Sequence, residues 1–397
     1  MTATAPAVQD VVALAERLVE TWPPSTVLPE EFLGHQFEAG LAFVHFPRGS
    51  GGLEAPASLQ RDVDAVLLAA GAPSPFRRNP IGVGMCGPTI ATWGSADQQA
   101  RYLRPLFTGA EIWCQLFSEP GSGSDVAGLS MRAIRDGDEW VLNGQKVWTT
   151  LAHRARFGLL LARTDADVVK HKGLTAFVVD LHAPGVDVRP LYQLTGDAEF
   201  NEVYFTDVKV PDAERLGQPG EGWRVALTTL MNERVSIGGS TPPRGSGPIA
   251  DLLDTWRSLP EDRRTAVARD RVAALWIRAE LLRLTNVRAS QRRELGDPGP
   301  EGSISKLAMA ELNKDVHAAN VDLLGAEGQL FDGYVMRRPD SAHSASTPQR
   351  SFLRSRANSI EGGTTEVMKN ILAERVLGLP GDVRADRELP WSQVPRN

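Results

Sequence analysis

Glu361 is a candidate for acid–base chemistry, because its carboxylate lies in a glycine-rich loop just before an amphipathic run. The loop reads SIEGGTTEVMKN, residues 359–370, with two glycines and two threonines directly after Glu361. A carboxylate removed from water becomes basic enough to take a proton from a weak acid. The stretch alone leaves two interpretations open. Either Glu361 is a catalytic base, or the loop holds a ligand and the base lies elsewhere.

A second stretch, QLFSEPGSGSDVAGL at residues 115–129, is rich in glycine and serine. Such a turn exposes backbone N–H groups and hydroxyls, which suit an anionic or carbonyl-bearing ligand. It is neither a G-x-G-x-x-G dinucleotide motif nor a P-loop, because no glycine pattern links a strand to a helix and no Gly-Lys-Ser/Thr follows. Taken alone, an ordinary loop is the commoner interpretation.

The third stretch is NGQKVWTT, residues 143–150. Trp148 at a strand end offers a face for stacking on a flat ring, and Thr149 and Thr150 offer hydrogen-bond donors. A core tryptophan beside a turn is the commoner interpretation of this stretch on its own.

The elements that position these residues fall into three zones. In the first zone, apolar residues recur with helical spacing at 8–20, 58–71 and 95–109, where Ser95 is a good cap and Gly109 a stop. In the second zone, short strands alternate with turns, beginning with a hairpin at 138–150 whose predicted turn is Asn143-Gly144. The third zone returns to helices, at 222–238, 265–290, 303–325 and 366–378.

The composition is that of a soluble globular protein. The 397 residues carry a net charge of −6, with 42% hydrophobic and 23% charged residues, which argues against a general nucleic-acid binder. Two cysteines exclude a disulfide framework, and the scattered histidines predict no metal site. Residues 1–10 do not resemble a signal peptide and no apolar run is long enough to span a membrane, so we expect a cytoplasmic protein.

Taken together, the three motifs resemble those of the acyl-CoA dehydrogenase family. SEPGSGSD, DGDEWVLNGQKVWTT and GGTTEVMKNILAERVLG occur in the family's order, and the match extends over about residues 90–380. The resemblance implies an α+β multidomain fold with an N-terminal helical domain (1–110), a middle β-barrel domain (111–215) and a C-terminal four-helix bundle (216–397).

The resemblance also implies FAD and an acyl-CoA substrate. Family members remove the α-hydrogen of the thioester as a proton and pass the β-hydrogen as a hydride to flavin N5, which gives a trans-2-enoyl thioester. Matched residue by residue, positions of the first two motifs contact the flavin ring, and Ser124 also lies near the substrate. The third motif contacts the FAD pyrophosphate and ribose. These cofactor positions are Ser118, Ser124, Trp148, Thr150, Thr364 and Glu366.

The same resemblance moves the predicted base away from Glu361. Some members place a glutamate two residues before the threonine of the third motif, but counting back from Thr364 gives Gly362. Other members place the base on the first helix of the C-terminal domain, where LTTLMNERVSIGG supplies Glu233 followed by Arg234. We therefore predict Glu233 as the base, Arg234 as a substrate contact and the Gly362 N–H as a donor to the thioester oxygen.

Two family patterns that contact a neighbouring subunit's FAD are altered here. Residues 254–275 contain arginines but no Phe-Gly pair, and Asp322 and Ala326 replace the Gln and second Gly of a Gln-x-x-Gly-Gly pattern. The loss suggests an α2β2 assembly with a second acyl-CoA dehydrogenase-like chain, as in members that act on steroid side chains. The alternative is a homodimer that uses a substitute arginine or binds the adenine end of FAD loosely. The region in question holds Arg257, Arg263 and Arg264.

Several alternatives for the reaction remain open on the same fold. They are an acyl-CoA oxidase, a flavin monooxygenase, a dehydrogenase acting on acyl carrier protein, and a non-catalytic partner subunit. The leading interpretation is a dehydrogenase reoxidised by electron transfer flavoprotein. The Gly- and Pro-rich break at 238–248, directly after the Glu233 helix, either leaves room for a bulky acyl chain or is a plain surface loop.

Overall fold

The computed structural model describes residues 8–238, 242–294, 301–333, 335–340, 347–381, 383 and 386–395 of the chain. Within the helices, the side chains of 234–238, 293, 294 and 301 lie outside this description, as do residues 239–241 of the predicted break. None of the described helices is both long and apolar enough to cross a membrane.

The first part of the chain is helical, and its best-defined helix begins and ends as the sequence predicts. Ser95 and Gln98 form a capping box at the start of α6, and Gly109 ends the helix with φ +75°. The predicted helix at 8–20 is also present. The helices of this part are α1 Val8–Thr21, α2 Pro29–Glu38, α3 Gln60–Ala69, α4 Pro75–Arg78, α5 Gly87–Trp93 and α6 Ala96–Thr108.

The middle part is one eight-stranded sheet in the order β6-β7-β3-β2-β4-β5-β8, with β1 paired to β4. Long strands β3 and β7 alternate buried and exposed side chains, as expected for a sheet with one covered face. The strands are β1 Trp113–Leu116, β2 Arg132–Asp136, β3 Glu139–Thr150, β4 Phe157–Arg163, β5 Leu174–Asp180, β6 Val186–Pro190, β7 Phe200–Pro211 and β8 Arg215–Leu216.

The predicted hairpin turn at Asn143-Gly144 is wrong. Strand β3 runs straight through this pair, and the turn into it is made at Gly137. The register against β7 shifts at Gly144, which is a β-bulge. Asn143 exchanges two 3.0 Å hydrogen bonds with Asp207 across that bulge, so pairing with a distant strand overrides the local turn preference.

The last part returns to helices, with α10 at its centre. This helix packs against α7, α8, α9, α11 and α12. The order of a helical part, a β part and a helical part is therefore confirmed. The helices are α7 Gly222–Gly238, α8 Pro248–Ser258, α9 Ala266–Glu294, α10 Glu301–Leu324, α11 Pro348–Ser355 and α12 Thr365–Arg375.

One hydrophobic cluster joins all three parts and sets their relative positions. It contains Leu103 of α6, Trp113 of β1, Leu174 of β5 and Val225 of α7, each almost fully buried. Close packing of this kind resists displacement, so α7 is held against the sheet and the N-terminal helices.

Candidate active site

A buried ion pair holds the Gly/Ser loop, residues 117–131, which joins β1 to β2. The Lys146 ammonium on β3 lies 2.8 Å from Glu119 Oε1, and both side chains are almost completely buried. Glu119 also accepts hydrogen bonds from the Ser130 N–H at 2.7 Å and the Met131 N–H at 3.0 Å. Burial alone would raise the pKa of Glu119, but Lys146 and these donors hold that pKa below its usual value.

Trp148 lies beside this loop, at a point where the register of strand β3 is irregular. Trp148 has φ +58°, which is uncommon for a residue other than glycine, and its indole is 58% exposed. The neighbouring Val147 N–H donates to the Ser118 carbonyl oxygen at 2.9 Å, so Ser118 and Trp148 lie close together. Strained residues and bulges concentrate at functional sites, and an exposed indole face suits stacking on a flat ligand.

Helix α7 presents Glu233 from the side that packs against the rest of the protein. Val225, Ala226 and Thr229 on that side are fully buried. The Thr229 hydroxyl lies 2.9 Å from the hydroxyl of Thr89 on α5, which fixes the rotation of α7. Glu233 follows Thr229 by four residues, about one helical turn, so it continues the same face and is only partly exposed.

A buried lysine on α10 holds the loop that contains Gly362 and lies within electrostatic range of Glu233. Lys306 is 1% exposed, and its ammonium donates to the carbonyl oxygens of Asn358, at 2.9 Å, and Gly363. Burial lowers the pKa of Lys306, while nearby carboxylates, among them Glu361 and Glu233, act in the opposite direction. The positive φ of Gly362 (+65°) and Gly363 (+93°) gives a chain path that favours glycine.

Glu361 is bound to Arg354. The two carboxylate oxygens accept from Arg354 Nη1 at 3.1 Å and Nη2 at 2.9 Å, and the Asn358 amide donates a further hydrogen bond at 2.7 Å. Arg354 Nε also donates to Glu199 at 3.2 Å. Arg354 therefore engages both oxygens of the Glu361 carboxylate in a bidentate pair.

Arg354 also connects Glu361 to the tryptophan side of the site. Its guanidinium carbon lies 5.5 Å from the centre of the Phe200 ring, within the range of a cation–π contact. Phe200 in turn meets Trp148 edge to face, with ring centres 5.7 Å apart. The loop before α12 and the Trp148 bulge are therefore joined by direct contacts.

The other predicted residues lie at the surface of the same region or outside the description. Ser124 is exposed on the Gly/Ser loop, and the Arg234 side chain lies outside the described residues. The Thr364 hydroxyl accepts from the Val367 N–H at 3.1 Å and caps α12, with Glu366 exposed in the first turn. A helix start with free N–H groups favours a negatively charged ligand.

Sequence reasoning missed the three buried or half-buried cations that organise this site, Lys146, Lys306 and Arg354. Each has an apolar residue next to it in the sequence, as in the run SISKLAMA around Lys306. An isolated basic residue on the apolar side of a predicted element is the signal that would have found them, because buried charges need partners.

Three family models cover nearly the whole chain. The N-terminal domain model of acyl-CoA dehydrogenases matches residues 7–110, the middle domain model matches 114–208 and the C-terminal domain model matches 220–377. Acyl-CoA dehydrogenase IpdE1 of Mycobacterium tuberculosis is 37% identical over 324 residues, which cover 79% of each chain.

Two solved structures are similar over almost their full length. One is described as the Tcur3481-Tcur3483 steroid ACAD, with TM-score 0.71, 26% identity and coverage of 96% of this chain and 100% of that chain. The other is the ChsE4-ChsE5 complex from Mycobacterium tuberculosis, with TM-score 0.70, 25% identity and the same coverage.

Proposed function

The chain belongs to the acyl-CoA dehydrogenase family, and on that premise we propose that it converts an acyl-CoA thioester to the trans-2-enoyl-CoA with Glu233 as the base. Members of this family dehydrogenate acyl-CoA with FAD. The observation that carries the assignment is the difference between the two candidate carboxylates. Glu361 is bound bidentately by Arg354, whereas Glu233 lies on the inward face of α7 near Lys306 and the Gly362 loop.

In this proposal, the chain's own residues handle the proton and the developing charge. A Glu233 carboxylate oxygen takes the α-proton, and negative charge then develops on the thioester oxygen. The Gly362 N–H donates to that oxygen, and a donor fixed in advance stabilises the transition state more than the ground state. Lys306 supports this task because it holds the Gly363 carbonyl and so the orientation of the loop.

The residues present fit FAD. An exposed indole on a strained bulge suits the flat ring, and the buried Thr149 hydroxyl has no partner among the described residues. We assign the ring to Ser118, Ser124, Trp148 and Thr150, and the pyrophosphate and ribose to Thr364 and Glu366. When bound, FAD supplies at N5 the acceptor for the β-hydride, and we propose electron transfer flavoprotein as the final oxidant.

The assignment of the base is tested with two matched substitutions, Glu233→Gln and Glu361→Gln. Each keeps the side-chain volume and removes one carboxylate. We expect Glu233→Gln to keep its FAD but to lose turnover by a factor of roughly 10³, since a general base contributes about 10²–10⁴. Glu361→Gln retains measurable turnover. Turnover and flavin absorbance are measured with short, long and polycyclic acyl-CoA substrates. An inactive Glu361→Gln beside an active Glu233→Gln contradicts the proposal.

We also propose that a second, acyl-CoA dehydrogenase-like chain completes the assembly. The arginines that could replace the missing one are engaged within this chain. Arg263 donates to the Leu323 carbonyl oxygen, and Arg264 donates to the carbonyl oxygens of Arg257 and Leu259 at 2.9 and 2.7 Å. The two similar structures described above carry pairs of protein names, which supports an assembly of two kinds of chain.

Helix α9 supplies a surface for such a partner. Ile277, Leu281 and Leu284 follow at helical spacing and are each about half exposed. Asp322 of α10, at the family's glutamine position, lies 2.7 Å from Arg271 of α9 and is engaged by that ion pair. An apolar stripe of this kind is typical of a protein–protein interface.

A further inference from the structure

The C-terminal segment, residues 386–395, returns from the helical bundle to the β part and contacts the Gly/Ser loop. Pro390 forms an isolated antiparallel bridge with Val169 in the connection between β4 and β5. The Trp391 N–H donates to the Val168 carbonyl oxygen and the Ser392 N–H to that of Ala166, both at 2.8 Å. We call residues 386–395 the C-terminal clasp.

Trp391 connects the clasp to the inner side of the Gly/Ser loop. Its indole N–H donates to the Gly128 carbonyl oxygen at 3.1 Å. Its ring lies against the guanidinium of Arg163, whose carbon is 4.3 Å from the ring centre. Arg163 is itself buried and donates to the carbonyl oxygens of Ala127, at 2.6 Å, and Leu129, at 3.1 Å. Trp391 therefore covers the residue that fixes this end of the loop.

A charged contact connects the clasp to the outer side of the same loop. The Lys170 ammonium lies 2.7 Å from Asp386 of the clasp and 2.9 Å from Asp125 of the loop. Lys170 is only 16% exposed, so this three-residue bridge is screened less than a fully exposed pair. Asp125 directly follows Ser124, the residue assigned to flavin and substrate.

From these contacts we propose that the C-terminal clasp is a positioning device that holds the Gly/Ser loop in its substrate-binding conformation. Asp386 and Trp391 act through Lys170, Arg163 and Gly128, and neither is proposed to touch the reacting atoms. The importance of the loop for substrate rests on the proposed function, but the mechanical link between clasp and loop does not. A small displacement of a positioning group is enough to reduce kcat/KM.

The test compares Asp386→Asn/Trp391→Ala with Glu388→Gln in the FAD-loaded full chain. Glu388 is an exposed acid of the same segment and serves as the control. Amide hydrogen exchange of residues 118–130 reports the link without any assay of activity. We expect faster exchange there and a KM for acyl-CoA raised about tenfold, with kcat changed by less than about twofold. Replacing Asp386 by Glu instead of Asn in the double variant should bring KM part of the way back to that of the unmodified chain.

Each result has a defined consequence. If the amide hydrogen exchange of residues 118–130 is unchanged in the double variant, the proposal that the clasp holds the loop is wrong. Faster exchange with an unchanged KM overturns its positioning role, and so does an equal effect of Glu388→Gln. If the unmodified chain oxidises no acyl-CoA when it is loaded with FAD and assembled with its partner chain, the proposed function fails. The exchange measurement still decides whether the segment holds the loop.

Discussion

At the scale of single residues, Arg354 binds two carboxylates with one guanidinium. It binds Glu361, seven positions away, and Glu199, which lies 155 positions earlier in the chain. Burial raises the pKa of Glu199, and the charge and hydrogen bond of Arg354 oppose that shift. Without the guanidinium, the negatively charged carboxylates of Glu199 and Glu361 would remain close together in a partly buried environment.

We predict that Arg354→Met lowers the free energy of unfolding by about 2 kcal/mol at pH 7.5, because partners are lost from a partly buried charge network. A carboxyl group whose pKa is higher in the folded than in the unfolded state destabilises the fold at pH values above its folded pKa. This destabilisation disappears below the unfolded pKa, which is about 4.3 for glutamate. The difference from the unmodified chain should therefore shrink as pH falls from 7.5 to 5.

The measurement is denaturant unfolding at both pH values, at one fixed concentration of FAD. Arg354→Met/Glu199→Gln should recover part of the lost stability, since the buried charge is then absent. If Arg354→Met loses the same free energy of unfolding at both pH values, and adding Glu199→Gln does not change that loss, this explanation is wrong.

At the scale of elements, the Gly/Ser loop is supported from two sides. Strand β3 holds it through the Lys146–Glu119 pair, and the C-terminal clasp holds it through Asp125 and Gly128. Loops rarely keep one conformation without such supports, because their own backbone hydrogen bonds are few. The glycines of this loop allow a ligand to approach the backbone closely, so the conformation of the loop depends on contacts with other parts of the fold.

We predict that Lys146→Met destabilises the protein by roughly 3–5 kcal/mol, because it leaves the Glu119 carboxylate buried without its cation. Lys209→Met is the matched control. That lysine pairs with Glu139 at 3.3 Å with both side chains exposed, and such a pair contributes below about 1 kcal/mol. Denaturant unfolding and the flavin content after gel filtration are compared. Equal effects of the two substitutions would contradict a structural role for the buried pair.

At the scale of the whole molecule, the proposed second subunit would cover a surface that includes α9. The stripe on α9 is apolar, and Arg263 and Arg264 donate to carbonyl oxygens of their own chain. An isolated chain would then hold the flavin ring but lack contacts to the far end of the cofactor.

We predict that the chain purified alone contains well below one FAD per chain. When tagged and expressed in its native host, it should recover a second acyl-CoA dehydrogenase-like chain together with full FAD. Leu281→Glu on α9 should abolish that pairing, whereas Leu68→Glu, at an exposed position of α3, should not. Flavin absorbance and native mass are measured. One FAD per chain in the isolated protein contradicts the assembly of two kinds of chain.

The sequence by itself determined the features that depend on local pattern. Helical spacing and the Ser95 cap predicted α6, and short runs between turn signals predicted the strands of the middle part. The joint order of three motifs indicated the family, which the comparisons confirmed. The assignment of Glu233 remains a prediction, but its helical position is as expected.

Only the tertiary structure decided which charges meet. The Asn143-Gly144 pair became a bulge because β7 pairs with β3 on both sides of it, and Glu361 became a partner of Arg354. The contact of Trp391 with Gly128 joins residues 263 positions apart. Such contacts leave no local pattern, because the free energy of a buried charge or hydrogen bond depends on partners that only the folded chain brings within reach.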